Sequence, residues 1–333
     1  MRRNRKIVGV PKPLDFIGAI EAAYDRTKGD DAWLRDLTEM VAPAFSVAGA
    51  TTSFFFDLEG EAARVGRAAS VGDRTYTREN YAKQHDIGRK QAAIPNRTVY
   101  DCDMFTLLSR VVGPEVAAHS IRDAGMEGDD AVGLRANMTP ESGVIITTHV
   151  RSGYRLRQRA LWTRFAAHVG SALRLRRMRA APSPDSAVAV LGPRGRLEHG
   201  TTATSAARDD LEGAAKDMDR ARGKLRRLDN ETACALWRAM VRGEWSLVDW
   251  VDHDGKRFLL AQANRVPVTG RPQLTERELQ VVACAAMGHS NKLIAYDLGL
   301  STGTVSVLLS RASKKLGVSG RVALIRAFRE RVQ

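Results

Sequence analysis

The 333-residue chain is predicted to be multidomain, with two α+β units followed by an all-α tail of four helices. Up to residue 179, helical segments alternate with strand-like hairpins, and a proline-containing linker follows over 180–185. A second, smaller set of strands and helices occupies 186–265. From 266 to 333, apolar spacing and capping residues indicate helices alone. Residues 1–13 read as a basic arm.

The first unit, residues 14–179, has the order helix, hairpin, helices, hairpin, helix. Helices are expected over 14–42 (divided near 28–31), 76–91, 104–118 and 155–179, and strands over 48–57, 63–71, 98–100, 131–138 and 144–150. This order resembles a GAF-type sensory domain, in which an antiparallel sheet carries helices and a small-molecule cavity. The resemblance implies a ligand pocket, for which the candidate residues are Tyr76, Tyr81, His85, Tyr100, Cys102, Phe105 and His119.

The helix expected over 155–179 carries an apolar stripe and many arginines. Two interpretations of this stripe stay open. It packs on the sheet of its own unit, or it forms a signalling helix that pairs with a second copy of the chain.

The second unit, residues 186–265, is predicted to begin with a strand pair and to end with a hairpin. Strands are expected over 187–191, 196–199, 245–252 and 257–262, with a helix over 206–227 and a short helix or strand over 236–241. The Asp254-Gly255 pair favours a tight hairpin turn. This order resembles a reduced PAS-like domain, whose core Trp237, Trp245 and Trp250 would fill.

In the tail, local signals mark where each helix begins and ends. Thr275 and Glu278 have the spacing of a capping box, and Gly288 supplies a helix stop. Ser290 and Ser301 are the next N-caps, with stops at Gly299 and Gly317 and a fourth helix from about residue 320. A short helix, a turn containing glycine and a longer helix form the helix-turn-helix pattern, whose second helix enters the DNA major groove.

Charge supports a polyanionic partner for this tail. Residues 273–333 hold nine Lys and Arg against four Asp and Glu, and the whole chain has a formal net charge of +14. Neutralisation of phosphates supplies much of the affinity of DNA-binding proteins. The alternative is a small helical bundle that binds protein.

The segments LTERELQVV and GHSNKLIAYDLGLSTGTVSVLLSRASKKLGV resemble the LuxR-type (GerE-type) helix-turn-helix domain of bacterial transcription regulators. The resemblance implies a four-helix DNA-binding domain whose last helix often makes dimer contacts. The DNA contacts that it implies are Lys292, Ser301, Thr302, Thr304, Val305, Arg311 and Lys315, and exposure on the predicted recognition helix adds Ser306 and Lys314. Ser306 and Leu308 occupy positions where family members usually have Lys and often have His, respectively. These departures predict that the chain binds DNA differently or more weakly.

Several function classes lack support in the sequence. No run of 18 apolar residues predicts a membrane helix, and the basic N-terminus lacks the apolar core of a secretory signal. Cys102, Cys234 and Cys284 form neither a disulfide framework nor a CxxC motif. No nucleotide-binding, zinc-protease or hydrolase motif is present. We therefore expect a cytoplasmic protein that is not an enzyme and has no metal or cofactor.

The resulting hypothesis is a DNA-binding transcription regulator of the LuxR type that acts as a one-component sensor. Its upstream α+β domains would sense a small molecule or mediate dimerisation. The expected partners are double-stranded DNA, a second copy of the chain, a small-molecule effector and RNA polymerase, with no membrane. The alternative is a DNA-binding scaffold that oligomerises without a ligand.

Overall fold

The computed structural model describes residues 14–332 with gaps at 46–50, 58–63, 73–97, 102–105, 108, 111–112, 124–129, 140–141, 151–153, 155, 178–182, 238–239, 242–244 and 264–273. The predicted basic arm and the predicted helix over 76–91 lie outside the described residues.

Two antiparallel five-stranded sheets and a helical tail make up the described fold. The first half contains α1 (Phe16–Tyr24), α2 (Asp30–Phe45), β1 (Thr51–Asp57), β2 (Arg64–Val71), β3 (Val99–Asp101), α3 (Pro114–Asp123), β4 (Asp130–Asn137), β5 (Ser142–Val150) and α4 (Arg159–Arg177). Its strand order is β2-β1-β5-β4-β3. The predicted hairpins β1–β2 and β4–β5 are confirmed, since each pair is hydrogen-bonded and antiparallel.

The second half follows a single 3-10 turn (Pro184–Ser186). It contains β6 (Ala189–Leu191), β7 (Leu197–Gly200), α5 (Thr202–Ala206), α6 (Arg208–Arg222), α7 (Leu225–Leu228), α8 (Asn230–Leu236), β8 (Met240–Val241), β9 (Trp245–Val251) and β10 (Arg257–Ala263). The strand order is β7-β6-β10-β9-β8, and β9 pairs with β10 as the predicted hairpin. The single helix predicted over 206–227 is divided into α6 and α7, and α5 precedes them.

Helix α8 was not predicted. The sequence indicated only a short helix or strand over 236–241, where the structure has the end of α8 and the two-residue strand β8. Asp229 caps α8, because its side chain accepts a hydrogen bond from the backbone N–H of Thr232 at 3.0 Å. A helix of seven residues offers too few turns for its apolar spacing to stand out.

The two halves share one buried core, which runs from Leu14 to Ala261. Its centre holds Trp162, which stacks on Phe45 with ring centroids 4.6 Å apart and meets Phe16 edge-on at 5.1 Å. Polar contacts join the halves at the surface, where the Arg226 Nε group donates to both carboxylate oxygens of Asp15 at 2.8 and 2.9 Å. The division of this region at 180–185 stays a prediction.

Helix α4 lies at the middle of this core. Most of its residues from Leu161 to Leu175 are buried, which supports the interpretation that its apolar stripe packs on its own sheet. Gly170 lets it approach strand β4 closely, since a Cβ atom at this position would lie 2.5 Å from the backbone oxygen of Asn137. The basic face is also engaged, because Arg176 pairs with Asp30 at 3.1 Å and stacks over Trp33.

The tail forms the predicted four helices: α9 (Glu276–Ala286), α10 (Asn291–Leu298), α11 (Thr302–Leu316) and α12 (Arg321–Val332). The predicted capping box is confirmed at α9, where Thr275 and Glu278 bond to each other's backbone N–H groups. Glu278 is 3% exposed and also accepts a hydrogen bond from Lys315 Nζ at 2.7 Å. One carboxylate therefore joins the start of α9 to the end of α11.

We expect Gly170→Ala to lower the free energy of unfolding by about 1–3 kcal/mol, because the added methyl group must push α4 away from a backbone carbonyl. Gly213→Ala on α6 is the matched control, since a Cβ there meets nothing within 4 Å. The control should be neutral or stabilising by about 0.5–1 kcal/mol, as glycine is a poor helix former. Urea unfolding measures both, and equal effects of the two substitutions would contradict the close packing of α4.

Glu278 predicts a loss of stability in acid. Burial alone raises the pKa of this carboxyl, but hydrogen bonds from Lys315 and from Thr275 outweigh burial and leave the pKa below its usual value. A depressed carboxyl pKa stabilises the fold above the ordinary value of about 4.3, and this stabilisation is lost as the pH falls through the folded-state pKa.

We therefore expect Glu278→Gln to cost about 1–3 kcal/mol at pH 7 and to flatten the loss of stability below about pH 4.5. Urea unfolding between pH 3.5 and 7 measures this difference. Lys315→Met, which keeps most of the aliphatic stem, should weaken the same pH dependence. A Glu278→Gln variant as stable as the parent at pH 7 would show that the pair contributes nothing.

Candidate nucleic-acid interface

Helices α10 and α11 form the helix-turn-helix. Gly299 ends α10 in the left-handed conformation with φ of 60°, a region that suits glycine. Ser301 then caps α11 by accepting a hydrogen bond from the backbone N–H of Thr304 at 3.0 Å. The two helix axes differ in direction by 105°, within the range of about 90–120° that is typical of this motif.

The outer face of α11 projects from the tail into solvent. Its exposed residues are Thr302, Gly303, Thr304, Ser306, Val307, Ser310, Arg311, Lys314 and Lys315. The inner face holds Val305 and Ala312, both 0% exposed, and Leu316. The amphipathic division leaves hydroxyl groups on the N-terminal half of the helix and basic groups on the C-terminal half. These are the side chains that contact bases and phosphates in protein–DNA complexes.

The predicted contact residues differ in what their side chains do. Arg311 and Lys314 are exposed, and neither makes an ion pair with any residue that the structure describes. Lys292 is exposed in the first turn of α10. Lys315, by contrast, bonds to the carboxylate of Glu278. Within the described part of the chain, Arg311, Lys314 and Lys292 therefore carry positive charges that form no ion pair.

Two predicted contacts have structural roles in the tail. Val305, predicted both to face the core and to contact DNA, is buried in the cluster formed by α9, α10 and α11, so its side chain contributes packing and not a polar contact. The Ser301 hydroxyl caps α11 and lies 2.8 Å from the Thr304 hydroxyl. The Thr304 hydroxyl is thereby directed toward the N-terminus of α11.

Ser306, one of the two departures from the family pattern, takes part in a hydrogen-bonded link between three helices. Its hydroxyl donates to the backbone oxygen of Thr302 at 3.1 Å and lies 3.1 Å from Asn291 Nδ2, which donates to it. Asn291 Oδ1 accepts from Arg321 Nη1 at 2.8 Å, and Arg321 also donates to the backbone oxygen of His289. Partial burial lowers the pKa of Arg321, although the guanidinium stays charged.

Sequence reasoning missed Asn291 and Arg321. Asn291 follows an N-cap and Arg321 lies on the fourth helix, 30 residues away. No local pattern signals a bond between positions so far apart. The link through Ser306 orients α11 relative to α10, and it places the Asn291 amide beside the exposed face of α11.

The candidate ligand pocket is described only in part. Tyr100 lies on β3 and is 7% exposed, whereas His119 on α3 is exposed. Tyr76, Tyr81, His85, Cys102 and Phe105 lie outside the described residues. The ligand contacts of the seven residues stay a prediction.

Tyr296 on α10 joins the tail to the upstream halves. Its hydroxyl donates to the backbone oxygen of Cys234 at 3.1 Å and lies 3.0 Å from Nε2 of His168 on α4. The other ring nitrogen of His168 lies 3.4 Å from the Tyr24 hydroxyl. A proton on Nε2 satisfies all three contacts, with Tyr24 as donor to Nδ1.

His168 is 0% exposed between the rings of Tyr24 and Tyr296. Burial, with a smaller contribution from the nearby charge of Arg164, lowers the pKa of His168 to about 3. The imidazole is therefore neutral at physiological pH. A second contact lies close by, where Asn137 Nδ2 donates to the backbone oxygen of Met287 at 3.0 Å. The tail thus docks through α9 and α10 and leaves the outer face of α11 exposed.

Within the described part of the chain, no single helix is long and apolar enough to cross a membrane. Helices α10 and α11 together reach the required length and composition, but they bend by 105°. They are the helix-turn-helix pair described above.

Comparison with known proteins assigns the tail. Residues 272–328 match the family described as bacterial regulatory proteins, luxR family. The HTH-type transcriptional activator RamA of Corynebacterium glutamicum is 39% identical over 57 residues, which cover 17% of this chain and 20% of RamA. The chain thus aligns with about a fifth of the length of this relative.

A solved structure of SdiA from Escherichia coli aligns with 95% of this chain and 96% of its own, at 12% identity and a TM-score of 0.31. A score this low carries no argument about the upstream halves. The family match and the observed helices α9–α12 cover largely the same residues, and they agree with the resemblance that the sequence predicted. Residues 272–328 therefore form a LuxR-type helix-turn-helix domain.

Proposed function

We propose that the chain is a transcription regulator that binds double-stranded DNA through its LuxR-type domain, with α11 in the major groove. The observation that carries this proposal is the exposed outer face of α11. Arg311 and Lys314 form no ion pair there with any described residue, and the N-terminal half of the helix carries several hydroxyl groups. In this docking geometry, the first residues of the second helix lie nearest the base edges. Thr302 and Thr304 therefore face bases, while Arg311, Lys314 and Lys292 contact phosphates.

The upstream region is the sensor in this proposal. Its two α+β units act as GAF-like and PAS-like domains that bind a small-molecule effector, mediate homodimerisation or do both, in a cytoplasmic protein without enzymatic activity. Paired half-sites require matched spacing of the two recognition helices, so a change of dimer geometry alters DNA binding. The regulator then acts on transcription through RNA polymerase. The relative RamA is described as a transcriptional activator.

In this proposal, the Tyr296 contact transmits a conformational change from the sensor region to the DNA-binding domain. It is made by α10, the helix that precedes the recognition helix, and it ends on His168 in the centre of α4. Helix α4 also packs on β4 through Gly170. A shift of the first sheet therefore reaches α10 through one helix. Such a helix couples distant sites if it has two arrangements and each site favours one of them.

A scaffold that binds DNA without an effector is the second candidate. Two features favour this candidate: helix α4 packs closely against the first sheet, and large aromatic side chains fill the shared core. Both features are expected of a rigid region. Thermal unfolding of the full chain with a small-molecule library separates the two candidates. A specific ligand raises the unfolding temperature in a concentration-dependent manner if the region is a sensor. A scaffold shows no such shift.

We expect Arg311→Ala with Lys314→Ala to weaken DNA binding about tenfold or more, equivalent to at least about 1.4 kcal/mol. The slope of log affinity against log salt concentration should fall by about two, since each lost phosphate contact removes about 0.9. Fluorescence anisotropy with DNA selected from genomic fragments measures both quantities.

The matched control removes the same two charges elsewhere. Arg194→Ala with Lys256→Ala changes exposed basic residues in the second sheet's turns. This pair should leave the affinity and the salt slope close to those of the parent. If both double variants weaken binding equally, general positive charge and not α11 holds the DNA.

We expect Tyr296→Phe to weaken the docking of the tail by about 1–3 kcal/mol, because the buried groups it contacts lose their partner. The measurement is hydrogen exchange, which should become faster in α10 and α8. The amides of α6 serve as the internal reference. Faster exchange with unchanged DNA affinity would mean that the contact does not transmit a signal, and it would favour the scaffold.

A further inference from the structure

A cluster of three buried side chains lies inside the LuxR-type domain, away from the outer face of α11. Cys284 is on α9, His289 is in the turn that follows α9, and Asp297 is on α10. They are 3%, 5% and 5% exposed, respectively. One ligand atom from each residue can be chosen so that all three atoms lie within 4.8 Å of one another. Different chain segments thus direct a sulfur, a nitrogen and an oxygen atom toward one point.

The polar atoms of this cluster are incompletely satisfied by one another. Nδ1 of His289 lies 2.7 Å from Oδ2 of Asp297, but without the alignment of a hydrogen bond. Oδ1 of Asp297 has no hydrogen-bond partner among the residues that the structure describes, and its side chain is only 7% exposed. A buried carboxylate oxygen without a partner is costly, since burial removes its water. A simple ion pair between His289 and Asp297 leaves that oxygen and the Cys284 sulfur unexplained.

Contrary to the expectation from the sequence that the chain holds no metal, we propose that Cys284, His289 and Asp297 bind a divalent transition-metal ion of the Zn²⁺ class. Thiolate, imidazole and carboxylate are the ligand types that Zn²⁺ takes, with bonds of about 2.0–2.3 Å. Tetrahedral geometry, with these three side chains and a water molecule as the ligands, separates neighbouring ligand atoms by about 3.5 Å at those lengths. The three atoms lie within 4.8 Å of one another, so they are close enough for this arrangement once their separations adjust to about 3.5 Å.

Charge balance favours a divalent ion. A thiolate and a carboxylate supply two negative charges and a neutral imidazole supplies none, so the ion and its three ligands are neutral together. A neutral group is far easier to bury than an unpaired charge. The ion bonds to Cys284 sulfur as the thiol proton leaves to solvent, and it bonds to Asp297 and to a neutral ring nitrogen of His289.

The surroundings affect the thiol in opposite directions. Burial, with a smaller contribution from the charge of Asp297, raises the pKa of Cys284 to about 12, although the guanidinium of Arg174 on α4 acts to lower it. The free thiol is therefore protonated and unreactive at neutral pH. Metal binding must displace that proton, so the affinity increases with pH.

A metal ion here would fasten α9 to α10 directly before the recognition helix. Its ligand Asp297 directly follows Tyr296 in the sequence, and the Tyr296 side chain docks the tail on the upstream halves. The proposal concerns this domain's own core. It stands independently of whether the upstream region binds an effector.

The test uses the full chain, freed of metal with a chelator and titrated with Co²⁺ as a spectroscopic substitute for Zn²⁺. The expected result is one equivalent of Co²⁺ with visible bands of tetrahedral cobalt and a thiolate-to-cobalt charge-transfer band. Zn²⁺ should then displace the Co²⁺ and abolish both signals. Absence of the charge-transfer band in the parent chain would overturn the proposal.

Two variants assign the ligand. Cys284→Ala should remove the charge-transfer band and weaken Co²⁺ binding by about 100-fold or more, since changes even outside the ligand shell cost about 10–100-fold. Cys234→Ala is the matched control, because Cys234 on α8 is also buried and free. It should keep both the band and the affinity. A band that persists in Cys284→Ala would overturn the assignment.

Circular dichroism establishes whether each variant folds. If Cys284→Ala does not fold, Asp297→Asn decides the question, since it keeps the shape of the side chain and removes its charge. Co²⁺ affinity reduced about tenfold or more in folded Asp297→Asn supports the site. Unchanged affinity in that variant overturns it.

Discussion

The close packing of helix α4 against strand β4 is the constraint on which the described structure depends. Gly170 allows it, because any larger residue would meet the backbone oxygen of Asn137. From this position, α4 packs Trp162 and Phe165 into the core and presents His168 to the tail. The sheet, the shared core and the docked domain therefore meet along one helix.

Local signals made the tail predictable from the sequence. Thr275, Ser290 and Ser301 were predicted as N-caps, and each accepts the expected hydrogen bond from the backbone three residues later. Capping depends on residues within one turn of each other, so the sequence contains the whole interaction. Upstream, strand pairs joined by short turns were predicted for the same reason. The short helix capped by Asp229 was missed, because seven residues show too little periodicity.

Long-range contacts explain what the sequence did not reveal about the site. Exposure of Arg311 and Lys314 followed from helical periodicity, and the structure agrees. The pairing of Lys315 with Glu278 joins positions 37 residues apart, and spacing alone does not indicate it. The grouping of Cys284 and Asp297 depends likewise on how α9 crosses α10. Such contacts arise from packing, which a local pattern does not encode.

If α11 faces DNA as proposed, the bond between Lys315 and Glu278 makes a DNA phosphate and the first cap of the domain compete for one positive charge. If a DNA phosphate draws the Lys315 ammonium away, the almost fully buried carboxylate of Glu278 keeps only its bonds at the start of α9. Part of any favourable phosphate contact is then offset by a less stable α9. Affinity for DNA and rigidity of the domain are therefore opposed at this lysine, whereas at Lys314 they are independent.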